Sequence, residues 1–493
     1  MSRMFHAAGH AAPNTSERGS ALILFTFLCG LLVIPLIGLA IDGSVLYWTK
    51  AKLSSAVDAA ALAAARSLTL DASGAAQQSA AQVVATNYLN ANFPPGWLGT
   101  SLNLNSFAVQ DGDPSKPQFK VRTVTMSVSA TVPLYFARIM NFSTATIAAS
   151  GQASRRDLNL MLVLDRTGSI EQAHVCGTMI NAAQNFVSMF TDGRDTVGLV
   201  TFMASANLDY APKKTFKSST PSLNDTLSKL VCANNTGSAE AFSLAYLQMK
   251  QMGEVGALNV IVFFTDGHPN TVTANLPILN TNSTCAGSPQ AFGRNSDGER
   301  TLRGIVYGSS RAGIYQTWVD PSGNIVPNSS GPPAINNGSA QPRIPNAGCS
   351  FSGSSNSVVA YLPDMDAWGN STSDNGYSAV LRYPGTEGDG NMRDGHIRID
   401  DVTTLENAAI NAVDDAARKA RTDPLGIVVY TVGLGDNSSD LPDTDLLQRM
   451  ANDPANASYD PSQPSGRYIY VSNAAALTSA FQQIASQVLR LSQ

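Results

Sequence analysis

Apolar residues in this chain fall into three regimes with different periods. From Ala21 to Ile41 the string ALILFTFLCGLLVIPLIGLAI carries no charge, and at 1.5 Å rise per residue it spans ~30 Å, the hydrocarbon thickness of a bilayer. The pattern then becomes one-sided. Leu46, Leu53, Val57, Ala60 and Ala64 recur at helical spacing in an alanine-rich run to about Leu68, which predicts that the helix continues past the apolar span. Between about 70 and 155 the period shortens to two. Val121 to Val132 and Thr144 to Ala153 read as strands, and Asp111-Gly112-Asp113-Pro114 reads as a turn. A small α/β unit is expected here, with the far end of the long helix packed on a short sheet.

From 156 onward the strands are apolar throughout rather than alternating. Leu158–Leu164, Asp195–Phe202, Leu258–Phe264, Gly426–Gly433 and Tyr468–Val471 are short runs of this kind. Helical stretches separate them: one after Ser169 to about Thr191, then 404–420, 442–451 and 475–490. Strands buried on both faces and alternating with helices imply an open, doubly wound, mostly parallel α/β sheet. Residues 271–400 interrupt the pattern. They are rich in Asn, Ser, Gly and Pro, with strand-like pieces at Ile305–Tyr307, Ile314–Val319 and Ala379–Tyr383. This is too long for an ordinary connection and is expected to be a partly structured insertion beside the carboxyl edge of the sheet.

Composition narrows the class. A 493-residue chain predicts two to four domains, and 43% hydrophobic residues exclude wholesale disorder. Only 14% of residues are charged, the net charge is −5 and no basic run occurs, so a nucleic-acid surface has no electrostatic basis. Arg3 and Arg18 precede the apolar span and Asp42 follows it. The positive-inside rule therefore puts 1–20 in the cytoplasm, 21–41 across the membrane and the rest outside, with Tyr47 and Trp48 at the far interface and Pro35 as a candidate kink. Gly38-Leu39-Ala40 also fits a signal-peptide cleavage site, but a signal core normally runs ~7–15 residues and the helix here does not stop.

Candidate chemistry sits where two apolar strands end. Asp165-x-Thr167-x-Ser169 puts one carboxylate and two hydroxyls on one turn, and Asp266 ends a second strand. Ligands in open α/β sheets bind at the carboxyl ends of strands, and these hard oxygen donors suit Mg²⁺, Mn²⁺ or Ca²⁺. Taken alone, Asp165 and Ser169 also read as helix caps. The dispersed histidines, His174 and His268 included, are poor ligand candidates. Glu387–Asp394 fails the EF-hand spacing, and no Cys-x-x-Cys, His-Glu-x-x-His, Gly-x-Ser-x-Gly or Gly-Lys-Ser/Thr string occurs. No enzyme class is supported. Cys29 falls in the apolar span, which leaves Cys176, Cys232, Cys285 and Cys349 outside. Four cysteines allow three connectivities or four buried thiols. The pairing expected is Cys176–Cys232, flanking loops at the carboxyl edge, with Cys285–Cys349 inside the insertion.

Two resemblances extend this reading. Arg18-Gly19, the apolar span, Ile41-Asp42, Tyr47 and Ala56-Val57-Asp58-Ala59-Ala60-Ala61-Leu62-Ala63 resemble the N-terminal segment of TadG-like tight-adherence (Flp) pilus-assembly proteins. Processed pilin-like relatives carry a glutamate where this chain has Ala21-Leu22-Ile23-Leu24, so the resemblance implies a permanent anchor, with 42–155 as its helix and small α/β unit. Residues 156–493, with the 271–400 insertion, resemble a von Willebrand factor A (vWA) domain with a metal-ion-dependent adhesion site. Asp165, Thr167 and Ser169 match its DxSxS element, and Thr265-Asp266-Gly267 matches its Thr-Asp-Gly element. Asn234-Asn235-Thr236-Gly237-Ser238-Ala239 resembles its middle loop, with Asn234 in the threonine-ligand register or Thr236 if the loop shifts. The resemblance implies a divalent cation, with Mg²⁺ favoured, shared with an acidic side chain of a protein partner. The function expected is a non-enzymatic factor of pilus assembly or adhesion, anchored in the bacterial inner membrane with its bulk periplasmic and pilus-assembly components as candidate partners. The alternative is an envelope vWA scaffold unrelated to pili.

Overall fold

The computed structural model describes residues 15–68, 75–111, 121–233, 236–277, 293–296, 298, 300–307, 310–315, 320, 322–324, 361–373, 377–384, 395–399, 401–435 and 441–492. The described residues divide into two compact units, the first drawn from 1–113 and 122–155 and the second from 114–121 and 156–493.

In the first unit, helix α1 (Thr15–Ser67) runs unbroken through Pro35. Its two halves differ in what surrounds them. Apolar side chains from Leu22 to Ile41 are largely exposed, whereas Leu53, Val57, Ala60, Ala61 and Ala64 are fully buried. The buried half packs on α2 (Ala75–Asn92) and on a sheet of order β1-β2-β3, formed by β1 (Ser101–Asp111), β2 (Val121–Pro133) and β3 (Thr144–Arg156). Alanines on α1 let α2 approach closely, and Val124, Met126, Val128 and Ala130 close the core from the sheet.

The second unit is a six-stranded sheet of order β13-β12-β7-β4-β5-β6. In chain order its elements begin with β4 (Leu158–Asp165), α3 (Gly168–Gln172), α4 (Cys176–Ser188), β5 (Thr196–Phe202), β6 (Ala206–Lys213), α5 (Leu223–Leu227), α6 (Ser238–Met252) and β7 (Leu258–Thr265). After the insertion come α7 (Val402–Thr422), β12 (Val428–Leu434), α8 (Thr444–Ala451), β13 (Tyr468–Val471) and α9 (Leu477–Leu491). All neighbouring pairs are parallel except edge strand β6, antiparallel to β5. Every residue of β4, β5 and β7 is buried. Helices cover both faces: Phe186 of α4 and Phe481 of α9 pack on one, and Phe242 of α6 with Val413 and Ala417 of α7 on the other. This is the mostly parallel α/β architecture the apolar strands predict.

Two expectations need correction. The helical stretch after Ser169 is two helices, because His174 adopts a left-handed backbone (φ 58°) between them. Ala379–Tyr383 is not a strand: among these residues only Arg382 makes a bridge, to Ile397. Where the insertion is described, it carries strands of its own. β8 (Thr271–Pro277), β9 (Gly293–Arg294), β10 (Arg300–Tyr307) and β11 (Ser310–Tyr315) form a second sheet. Val272, Leu276, Leu302 and Val306 of this sheet bury against Leu405, Ala408 and Ala409 of α7. Gln316–Val319, Asp113-Pro114 and Glu387–Asp394 lie outside the described residues.

Candidate metal-binding site

Strands β4 and β7 are neighbours, with Leu164 opposite Phe264, so the residues that follow them emerge side by side. The chain leaves β4 toward β5 on one side and returns through β7 on the other, which makes this edge a topological switch point. Asp165 is the last residue of β4, and its side chain is wholly buried. Its Oδ1 accepts the Thr167 backbone N–H at 2.9 Å and its Oδ2 accepts the Thr265 hydroxyl at 2.6 Å. Burial pushes the Asp165 carboxyl up to about 6 against the hydrogen bonds from Thr167 and Thr265. A carboxylate so placed is short of positive charge.

The hydroxyls carry the cluster across to β7. Thr167 Oγ1 and Ser169 Oγ lie 3.0 Å apart, and Ser169 Oγ donates to Asp266 Oδ1 at 2.7 Å. Thr167 occupies the position before α3, but no side chain caps that helix, and Ser169 lies inside it. Ser169 therefore does not cap that helix, while Asp165 accepts the N–H of the residue just ahead of it. Four sequence candidates, Asp165, Thr167, Ser169 and Asp266, meet in one set of oxygens, buried except for the half-buried Ser169. The donor chemistry fits a hard divalent cation: two carboxylates and two hydroxyls, from two rigid strand ends.

The middle loop reaches the same edge by a different route. Thr236 is buried and donates its N–H to Asn270 Oδ1 at 2.9 Å, while its carbonyl accepts the Asn270 N–H at 3.2 Å. Gly237 donates to Met203 O at 2.7 Å, and a Cβ there would stand 2.7 Å from Ala204 O. Only glycine permits this approach. On the other flank, Ala233 donates to Arg166 O at 2.8 Å. Cys232 is bridged to Cys176 at the start of α4, with Cα atoms 6.1 Å apart. The loop is thus held on both sides of Asn234, which itself lies outside the described residues, as do Cys285 and Cys349. Cys29 is a free thiol on α1.

Residues without a motif also shape the site. Arg166 is buried, and its guanidinium donates to Thr201 Oγ1 at 2.8 Å and to Val231 O at 3.1 Å. Thr201 Oγ1 in turn donates to Asp209. Burial raises the Asp209 carboxyl, and the Arg166 charge opposes that rise. This charged strut lies under the Asp165 turn and ties it to β5, β6 and the middle loop. Thr265 was visible within its motif as a neighbour of Asp266, yet its hydroxyl is a direct donor to Asp165.

Residues 160–268 match the family model for the von Willebrand factor type A domain, and residues 19–67 match that for the Flp pilus-assembly TadE/G-like family. No curated protein matches the chain. Among solved structures, the PilB minor pilin from Streptococcus sanguinis is similar at 13% identity and TM-score 0.35, covering 80% of this chain and 80% of that one. The vWF domain of the type V pili tip protein Mfa5 from Porphyromonas gingivalis is similar at 17% identity and TM-score 0.33, covering 69% and 98%. The pilus adhesin SpaC from Lactobacillus rhamnosus GG is similar at 14% identity and TM-score 0.36, and the match covers 78% of this chain but 36% of SpaC.

Proposed function

We propose that this chain, which carries a vWA domain behind a TadE/G-like N-terminal segment, is a membrane-anchored, non-enzymatic factor of tight-adherence pilus assembly or surface adhesion that grips a protein partner through one divalent cation. The observation that carries the reading is the convergence of Asp165, Thr167 and Ser169 with Asp266, joined by the Ser169–Asp266 hydrogen bond. Asp165 and Asp266 supply the negative charge that holds the ion, Thr167 and Ser169 supply neutral oxygens, and Asn234 or Thr236 completes the protein's share. The bound ion supplies a positive centre for a partner's carboxylate. Mg²⁺ is favoured, with Mn²⁺ and Ca²⁺ as competitors in the test.

The anchor and its orientation belong to the same proposal. Residues 21–41 cross the bacterial inner membrane, 1–20 stay in the cytoplasm and the vWA domain lies in the periplasm. The Cys176–Cys232 bridge supports an oxidising compartment for residues beyond the span. A reporter active only outside the cytoplasm, fused after residue 156, should be active; activity confined to the cytoplasm would end the adhesion reading. In cells that assemble such pili, Asp165→Ala should be exported and folded yet fail to support surface attachment. Undiminished attachment by that variant would remove the site from the function.

A further inference from the structure

The turn between β2 and β3 carries an unusual density of exposed apolar side chains. Tyr135, Phe136, Ile139, Met140 and Phe142 are 58%, 38%, 84%, 52% and 63% exposed. Single exposed apolar residues need no explanation, but a contiguous group this dense marks a contact. The group is docked on α1, within its apolar band. Ile34, Pro35 and Leu39 face Phe136, Ala137, Ile139 and Met140 across a cleft of about 90 Å³. Gly38 permits the approach, since a Cβ there would stand 2.6 Å from Phe136 Cβ. Asp42 then locks the turn: Oδ1 accepts the Tyr135 N–H at 3.0 Å, and Oδ2 accepts those of Phe136 and Ala137 at 3.0 and 2.8 Å.

We infer that the Tyr135–Phe142 tip is a second membrane contact, its apolar side chains seated among the lipid acyl chains of the leaflet from which α1 emerges. The inference rests on the reading of α1 as a membrane anchor. From Pro35 to Asp42 is ~10 Å along a helix axis, and interfacial elements bury ~5–10 Å into the headgroup and acyl boundary. Backbone polar groups must be satisfied internally at that depth, and seven N–H groups of this turn are paired within the protein. Besides the three held by Asp42, Leu134 donates to Ser143 O, Ile139 to Phe136 O, Asn141 to Arg138 O and Phe142 to Ala137 O. Arg138 is the one charged residue from Thr131 to Ser143 and is exposed. Its long stem lets the guanidinium reach lipid phosphates while the neighbouring rings stay in the apolar layer. Lipid is the occupant favoured because the tip's apolar surface is continuous with that of the exposed α1 band. The consequence is an anchor with two points of attachment, which restrains rotation and tilt of α1.

Depth-dependent quenching tests this on the full-length protein in phospholipid vesicles. The acyl chains are brominated near the headgroup end, near the methyl end, or not at all. Ile139→Trp and Phe142→Trp report the tip, Leu32→Trp reports the middle of the span, and each is read as the difference from wild type. The two tip variants should lose emission most with bromine near the headgroup, and Leu32→Trp most with bromine near the methyl end. If Leu32→Trp is quenched while both tip variants emit equally in all three vesicles, α1 is an anchor and the tip faces water or a protein, which overturns the inference. If Leu32→Trp is also unquenched, the anchor reading falls and takes the inference with it. Ile139 and Phe142 are both exposed, so misfolding of one variant leaves the other as the test.

Discussion

Ser169 and Asp266 are 97 residues apart in sequence, and the Ser169 hydroxyl donates to Asp266 Oδ1 at 2.7 Å. That bond fastens the turn after β4 to the turn after β7 and sets the spacing of the oxygens between them. Ser169→Ala should cost ~1–3 kcal/mol, because a buried carboxylate loses a donor, and should weaken divalent-cation binding at least ~10-fold, or ~1.4 kcal/mol. Ser169→Thr keeps the hydroxyl and should lose far less. Thermal unfolding with and without Mg²⁺ reads both effects: a Mg²⁺-induced rise in Tm in wild type and Ser169→Thr, and a much smaller one in Ser169→Ala.

Arg166 is the next test, because it acts on the site from beneath. Arg166→Leu removes the charge opposite Asp209 and the donors to Thr201 and Val231. Removing one partner of a buried charge pair typically costs ~3–5 kcal/mol. Adding Asp209→Asn to Arg166→Leu should recover part of that loss. Urea denaturation of wild type, both single variants and the double gives the coupling directly. Strict additivity would mean that the two charges do not support one another.

The Cys176–Cys232 bridge closes a loop with a sequence separation of 56, for which the chain-entropy estimate gives a stabilisation of ~4 kcal/mol. Cys176→Ser with Cys232→Ser should lower the urea midpoint accordingly. It should also weaken cation binding, because Cys232 stands next to Ala233, which is bonded to Arg166 O. Mass spectrometry of envelope-isolated wild type should show these two cysteines joined.

A pH effect follows from Asp366 in the insertion. Burial pushes its carboxyl up to about 6, against hydrogen bonds from Asn370 and Trp368. The folded state therefore holds this proton to a higher pH than the unfolded state, whose group titrates near 3.8. The stability it contributes is full below about 4 and is lost as pH rises through about 6, by ~2–3 kcal/mol. Asp366→Asn removes the titration. Its stability relative to wild type should rise between pH 4 and pH 7 in urea melts, and a pH-independent difference would contradict the assignment.

The sheet was legible because its strands are buried on both faces: Leu158–Leu164 and Leu258–Phe264 carry no alternation and fit few other roles. Asp165 and Asp266 were legible for the same reason, as polar residues at the points where such runs stop. β1 was harder to read, since its register slips between Leu104 and Ser106 and the bulge spoils the period. The break between α3 and α4 had no glycine or proline to signal it; His174 takes the left-handed backbone instead. The insertion's second sheet was obscured because its apolar residues are matched to α7, about a hundred residues away. The Arg166–Thr201–Asp209 strut joins the turn after β4 to β5 and β6, and no local spacing encodes a contact among three such segments.

The central claim is that Asp165, Thr167, Ser169 and Asp266 hold a divalent cation, and isothermal calorimetry with Mg²⁺, Mn²⁺ and Ca²⁺ on the purified full-length protein tests it most directly. Wild type and Thr167→Ser should each bind one equivalent, since the hydroxyl survives, and Asp165→Ala should show no binding heat while its circular dichroism stays native. Identical null titrations for wild type and Asp165→Ala with all three ions would contradict the claim. The vWA fold would then stand without its metal, with the Ser169–Asp266 bond as a structural fastening alone.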